Sequence, residues 1–162
     1  MKDGFIKVAA GTPDIKVADC KYNRAQINEL IGRAHAQGVR VLVLPELCIT
    51  GYTCQDLFFQ QTLLDGALRE LKEVAGHTAG LDMLVAVGCP LEFLRHSAGE
   101  LYNCAVVIMN GKILGAVPKK FLPNYNEFYE KRHFTAAPEG EYDIELFGEK
   151  VPFGLGLLFE CR

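Results

Sequence analysis

The apolar positions of this chain change period several times, and each change predicts an element. Phe5 to Ala10 reads as a first strand, with Gly11-Thr12-Pro13-Asp14 as its exit loop. From Lys21 to Gln37, Ile27, Leu30, Ile31 and Ala34 recur at i, i+3, i+4 and i+7, the stripe of a one-faced helix. Gly38 closes that helix, and Val41 to Leu44 follows as a strand apolar on both faces. Strand, helix, strand at this spacing is a βαβ unit with a right-handed crossover. Thr50 to Gln55 is a loop, and a second helix spans Leu63 to Ala75 with Leu64, Ala67, Leu68, Leu71 and Ala75 as its stripe.

Met83 to Gly88 is a further strand. Asn103 to Met109 and Lys112 to Val117 flank Asn110-Gly111, a strong hairpin signal. The expected architecture is therefore α/β with a mixed sheet, parallel early and antiparallel late. Pro138 to Glu149 reads as a polar surface segment. Val151 to Gly154 and Leu157 to Phe159 read as strand pieces still lacking partners, an edge that natural sheets guard against. The expectation is a longer parent polypeptide, or a neighbouring strand from another molecule.

Composition narrows the class. With 162 residues the chain fits one domain, and 49% hydrophobic with 23% charged residues is a globular balance. A net charge of −3 gives no electrostatic footprint for nucleic acid or an anionic membrane. The lack of an 18-residue apolar run and the opening Met1-Lys2-Asp3-Gly4 point to a cytoplasmic location. Six cysteines (Cys20, Cys48, Cys54, Cys89, Cys104 and Cys161) are then expected to be reduced thiols, Cys89 and Cys104 as small core residues. Cys48 and Cys54 have no partner at zinc-ligand spacing, His35, His77, His96 and His133 are scattered, and no metal site is expected. No G-x-G-x-x-G follows a strand, so nucleotide binding is not expected of this stretch.

Two segments carry candidate chemistry. Glu46 ends the Val41–Leu44 strand, where α/β proteins place reacting groups, although a carboxylate there can equally cap the turn that follows. Pro118-Lys119-Lys120-Phe121 brings lysine out of another strand. Neighbours on an extended chain point to opposite sides, so only Lys119 or Lys120 can face Glu46. A carboxylate beside a lysine suits attack of a thiol on a carbonyl carbon: the carboxylate takes the thiol proton and the lysine stabilises the oxyanion or leaving group.

Leu44-Pro45-Glu46-Leu47 with Thr50-Gly51-Tyr52, and the run from Lys119 through Phe121-Leu122-Pro123-Asn124-Tyr125 to Glu127-Phe128-Tyr129-Glu130, resemble the nitrilase (carbon–nitrogen hydrolase) superfamily. Within it, the chain is most similar to the glutaminase domains of glutamine-dependent NAD+ synthetases. The resemblance spans the chain, making residues 1–162 the N-terminal part of such a domain. It implies a nitrilase-like αββα sandwich, incomplete at its C-terminus, and a Glu–Lys–Cys triad that hydrolyses the glutamine side-chain amide. Glu46 would be the general base and Lys119 the triad lysine, with Lys120 the alternate. Tyr52 and Tyr125 would line the glutamine pocket, and Glu127 would be a second carboxylate near the lysine. For Tyr52, Tyr125 and Phe128, aromatic packing is an equally good reading.

The resemblance also implies that ammonia passes to an ATP-dependent domain that amidates deamido-NAD+. ATP and Mg2+ would belong to that absent synthetase domain, and the whole enzyme would be a homo-oligomer. The chain departs from the family at the nucleophile, which should stand in a run such as Cys-Glu-Asp-Leu-Trp after an apolar strand. Cys161 is the only cysteine after Lys119, and only Arg162 follows it. The expectation is that the nucleophile lies beyond Arg162 and that the chain alone does not hydrolyse glutamine. The alternatives are a free-standing amidase of the same superfamily and a non-catalytic assembly module.

Overall fold

The structure is a computed structural model and describes residues 4–95 and 98–160, so His96 and Cys161 lie outside the described residues. Seven strands form one sheet in the order β1-β2-β3-β4-β5-β7-β6. They are β1 (Val8–Ala10), β2 (Val41–Val43), β3 (Leu84–Arg95), β4 (Ala98–Met109), β5 (Lys112–Pro118), β6 (Glu141–Leu146) and β7 (Glu149–Gly154). Strands β1, β2 and β3 run parallel, β3, β4 and β5 antiparallel, β7 parallel to β5, and β6 antiparallel to β7. This is the mixed sheet the sequence suggests.

Helices α1 (Cys20–Ala36) and α2 (Gln61–His77) are the crossovers of β1–β2 and β2–β3. Two right-handed crossovers stepping the same way across a sheet put both helices on one face. Ile27 and Ile31 of α1 and Leu71 and Val74 of α2 are buried there with Leu42, Val85 and Val87. One helical layer and one sheet are thus present among the described residues. The N-cap of α1 is Asp19, whose carboxylate accepts from the Tyr22 N–H at 3.0 Å. Its C-terminus is closed by Gly38 at φ 76°.

Several expectations shift. The α2 stripe is rotated by one position: Leu63 is buried rather than Leu64, and Val74 and Glu70 join it. Glu70 is tolerated inside because Arg24 of α1 pairs with it at 2.9 Å. The loop after Gly51 holds two short 3-10 turns (Tyr52–Phe59), joined across Gln55 at φ 48°. Strand β3 continues far beyond Gly88, paired with an equally extended β4.

The polar segment before β7 contains a strand. Ile144 and Leu146 of β6 are buried while Glu141, Asp143 and Glu145 point out, a period of two hidden by the acidic residues. β6 turns into β7 at Phe147-Gly148, φ 57° and 81°, as β4 turns into β5 at Asn110-Gly111, φ 49° and 78°. β7 finds its partners in β5 and β6, whereas Leu157 to Phe159 is not a strand. That segment lies on Gly115, where Leu157 Cδ1 comes within 2.9 Å of the position a Cβ would occupy.

Candidate active site

The end of β2 is held in a fixed elbow. The Leu44 N–H donates to the Ala86 carbonyl at 2.9 Å, after which Pro45, Glu46 and Leu47 leave the sheet. Leu47 is fully buried at φ 51°, a left-handed conformation costing of order 1 kcal/mol in an L residue. Its carbonyl accepts from the N–H groups of Thr50 and Gly51 at 3.1 and 2.8 Å. Beneath the elbow is Gly88 of β3. A Cβ there would stand 2.3 Å from both the Leu47 nitrogen and the Pro45 oxygen, so only glycine admits this approach. From the helical side, Asn23 of α1 donates to the Ile49 carbonyl at 2.9 Å. Glu46 therefore projects from backbone fixed above and below.

Lys119 follows β5 directly. Its N–H donates to the Asn103 carbonyl of β4 at 2.8 Å and its carbonyl accepts from Ala137 at 3.0 Å. Its Nζ reaches Glu46 Oε1 at 2.8 Å and Glu130 Oε1 at 2.9 Å. Lys120 is exposed, so Lys119 is the lysine brought to Glu46. Burial alone would lower the lysine pKa, but bonds to Glu130 and Glu46 outweigh it and the net direction is up. The group is an ammonium at neutral pH.

The second carboxylate is Glu130, not Glu127. Glu127 is exposed, whereas Glu130, the first residue of the short helix α3 (Glu130–His133), is only 4% exposed. Tyr52 donates to the same Glu130 oxygen at 2.9 Å, and burial and that bond push its own pKa up. Glu130 Oε2 is buried with no partner among the described residues. Phe128 sits between Tyr52 (6.3 Å between ring centroids) and Tyr125 (5.5 Å), and Tyr125 is largely exposed. The expected aromatic residues thus form a chain from the buried carboxylate to the surface.

Asn103 was not anticipated either. It is buried, and its Nδ2 donates to Glu46 Oε1. Both missed residues left a trace in sequence: Asn103 is an amide inside an apolar strand run, and Glu130 ends the aromatic segment itself. Glu46, Asn103, Cys104, Val117 and Lys119 line a cleft of about 290 Å³. A larger groove, about 790 Å³, lies between the start of α1 and the first half of α2 and contains none of these groups.

The five described cysteines are buried thiols without disulfides. Burial drives the Cys20 pKa up to about 11 and that of Cys48 up to about 12, and raises those of Cys54, Cys89 and Cys104. None is set up as a thiolate at neutral pH. Among the described residues no group of three metal-ligating side chains is present, and no helix is long and apolar enough to cross a membrane.

Residues 7–156 match the carbon–nitrogen hydrolase family. The chain belongs to that family. It is 38% identical over 156 residues to the glutamine-dependent NAD(+) synthetase of Mycobacterium tuberculosis, covering 96% of this chain and 22% of that protein. The corresponding enzyme of Aquifex aeolicus is 35% identical over 86% of the chain and 23% of that protein. Among solved structures, the glutamine-dependent NAD(+) synthetase of Cytophaga hutchinsonii superposes with a TM-score of 0.88 at 33% identity, over 97% of this chain and 26% of that one. An amidase from Nesterenkonia sp. shares the fold, with a TM-score of 0.68 at 19% identity over 94% of this chain and 56% of that one. This carbon–nitrogen hydrolase chain spans about a fifth of the length of the curated relatives it matches.

Proposed function

We propose that this chain is the glutamine-hydrolysing section of a glutamine-dependent NAD+ synthetase. The observation that carries the reading is the Glu46–Lys119 pair, 2.8 Å apart at a cleft and built on two rigid backbones. The names of the relatives supply glutamine as the substrate of this section; deamido-NAD+ and ATP are what the family resemblance implies for the remainder of such an enzyme. Residues 1–162 are then part of the hydrolase domain.

In this reading Glu46 accepts the proton of an attacking thiol, and the sulfur bonds to the glutamine side-chain carbonyl carbon. The carbonyl oxygen becomes an oxyanion, and the Lys119 ammonium stabilises it. Glu46 returns the proton to the departing nitrogen, and ammonia leaves behind a thioester. Water, deprotonated by Glu46, then hydrolyses that thioester to glutamate. The thiol comes from a cysteine outside the described residues, since the five described thiols are buried and held protonated. Tyr52, Phe128 and Tyr125 form the aromatic wall beside the pair, and Glu127 is exposed.

The test is a pair of assays on the complete natural protein carrying Glu46→Gln or Lys119→Ala. NAD+ formation should fall at least a hundredfold with glutamine as nitrogen source and persist with free ammonia. Wild-type glutamine-dependent rates in both variants would sink the reading and favour a scaffold role.

A further inference from the structure

We propose that Asn103 is a positioning residue that decides which oxygen of Glu46 handles the proton, an inference that rests on the glutamine-hydrolysis reading above. Asn103 touches both members of the pair. Its side-chain amide donates to Glu46 Oε1, and its carbonyl accepts the Lys119 N–H at 2.8 Å. The Lys119 ammonium donates to the same Glu46 Oε1 at 2.8 Å. Two donors therefore converge on one oxygen, and Oε2 is the Glu46 oxygen that carries no bond among the described residues. Converging donors keep the carboxylate from rotating about its last torsion. Oε2 remains as the lone-pair donor toward the cleft that Glu46 and Asn103 both line.

Burial makes this arrangement specific. Asn103 is 4% exposed, on a strand where its neighbours Tyr102 and Cys104 are also buried. An amide in that position loses free energy unless it is bonded, and here its N–H is directed at the base. The β4–β5 register ends at Cys104–Pro118, and the bond from the Lys119 N–H to the Asn103 carbonyl carries it one step further. The same register that aligns the hairpin thus aligns the two groups.

The experiment is glutamate release by the complete natural protein for wild type, Asn103→Leu, Asn103→Asp and Glu46→Gln, with kcat and KM read separately. Asn103→Leu keeps the volume and the backbone bond to Lys119 but removes the donor. Its kcat should fall roughly tenfold with KM within about twofold. Asn103→Asp also removes the donor and sets a second carboxylate against the base, and should lower kcat at least as far. It also serves as the readout if the leucine variant does not fold. A wild-type kcat in either folded variant, or a loss confined to KM, overturns the proposal. The Glu46→Gln arm separates the two ideas: full activity there overturns the hydrolysis reading itself. Its loss, together with an unchanged kcat at Asn103, overturns only the role of Asn103.

Discussion

Lys119 holds two carboxylates in opposite surroundings. Glu46 stands on a strained elbow above Gly88, 37% of its side chain exposed to a cleft, with both of its observed donors on one oxygen. Glu130 is 4% exposed and takes Lys119 and Tyr52 on one oxygen, leaving the other buried and without a partner among the described residues. One carboxylate is accessible and can exchange a proton with something in the cleft. The other is shut in and can only hold the lysine in place. A single ammonium thus joins an accessible carboxylate to a buried one, and the difference is burial rather than residue type.

The largest effect on stability should come from removing the shared cation. Lys119→Met leaves Glu130 buried without its counter-charge and should lower the unfolding free energy of the chain by roughly 2–4 kcal/mol. Glu46→Gln should change it by less than about 1 kcal/mol, because that side chain is partly solvated. Urea denaturation of both variants reads the contrast, and equal losses would erase it.

A smaller effect is expected at alkaline pH. The Lys119 pKa is raised in the folded state, so its contribution is fully present below its ordinary value of 10.5 and is lost as pH rises through the folded one. The buried thiols act in the same direction from about pH 9, since Cys48 is held protonated up to about 12. The lysine part is therefore the difference between wild type and Lys119→Met, whose melting curves should converge as pH rises above 10.5. Curves that stay parallel would remove the titrating lysine from the account.

The smallest effect belongs to the outer clamp on the Glu130 side. Arg132 pairs with Asp56 at 2.7 and 2.9 Å, tying α3 to the 3-10 turns that carry Tyr52. The bond from Arg132, then that from His133, holds the Asp56 carboxyl well below the usual range. Its contribution is present above pH 4 and disappears as the solution is acidified. Asp56→Asn should lower the melting temperature slightly at pH 7 and leave it unchanged at the lowest accessible pH, because the pair is exposed and solvent-screened. The same loss at both pH values would mean that charge is not what holds the clamp.

Most of the sheet-and-helix half was legible because its apolar periods are long and clean. The helix over Ile27 and Ile31, the strand before Glu46 and the Asn110-Gly111 hairpin stand where the pattern places them. Strand β6 was masked because Glu141, Asp143 and Glu145 make a half-buried strand look like surface. Glu46 and Lys119 were legible as a pair because each ends a strand. Glu130 was not, since its burial depends on Tyr52, 78 residues away, and on the Lys119 ammonium. Asn103 was hidden for a similar reason: its role follows from cross-strand register, which a single strand does not reveal. Long-range partners, not local propensity, decide which acid is the anchor.

The most direct test of that division measures two quantities on the same two variants of the complete natural protein, Glu46→Gln and Glu130→Gln: glutamate release from glutamine and the melting temperature. The account predicts that Glu46→Gln loses hydrolysis by at least a hundredfold with its melting temperature nearly unchanged, while Glu130→Gln lowers the melting temperature and retains more activity than Glu46→Gln. Wild-type hydrolysis in Glu46→Gln, or a Glu130→Gln variant that is equally stable but inactive, would contradict it.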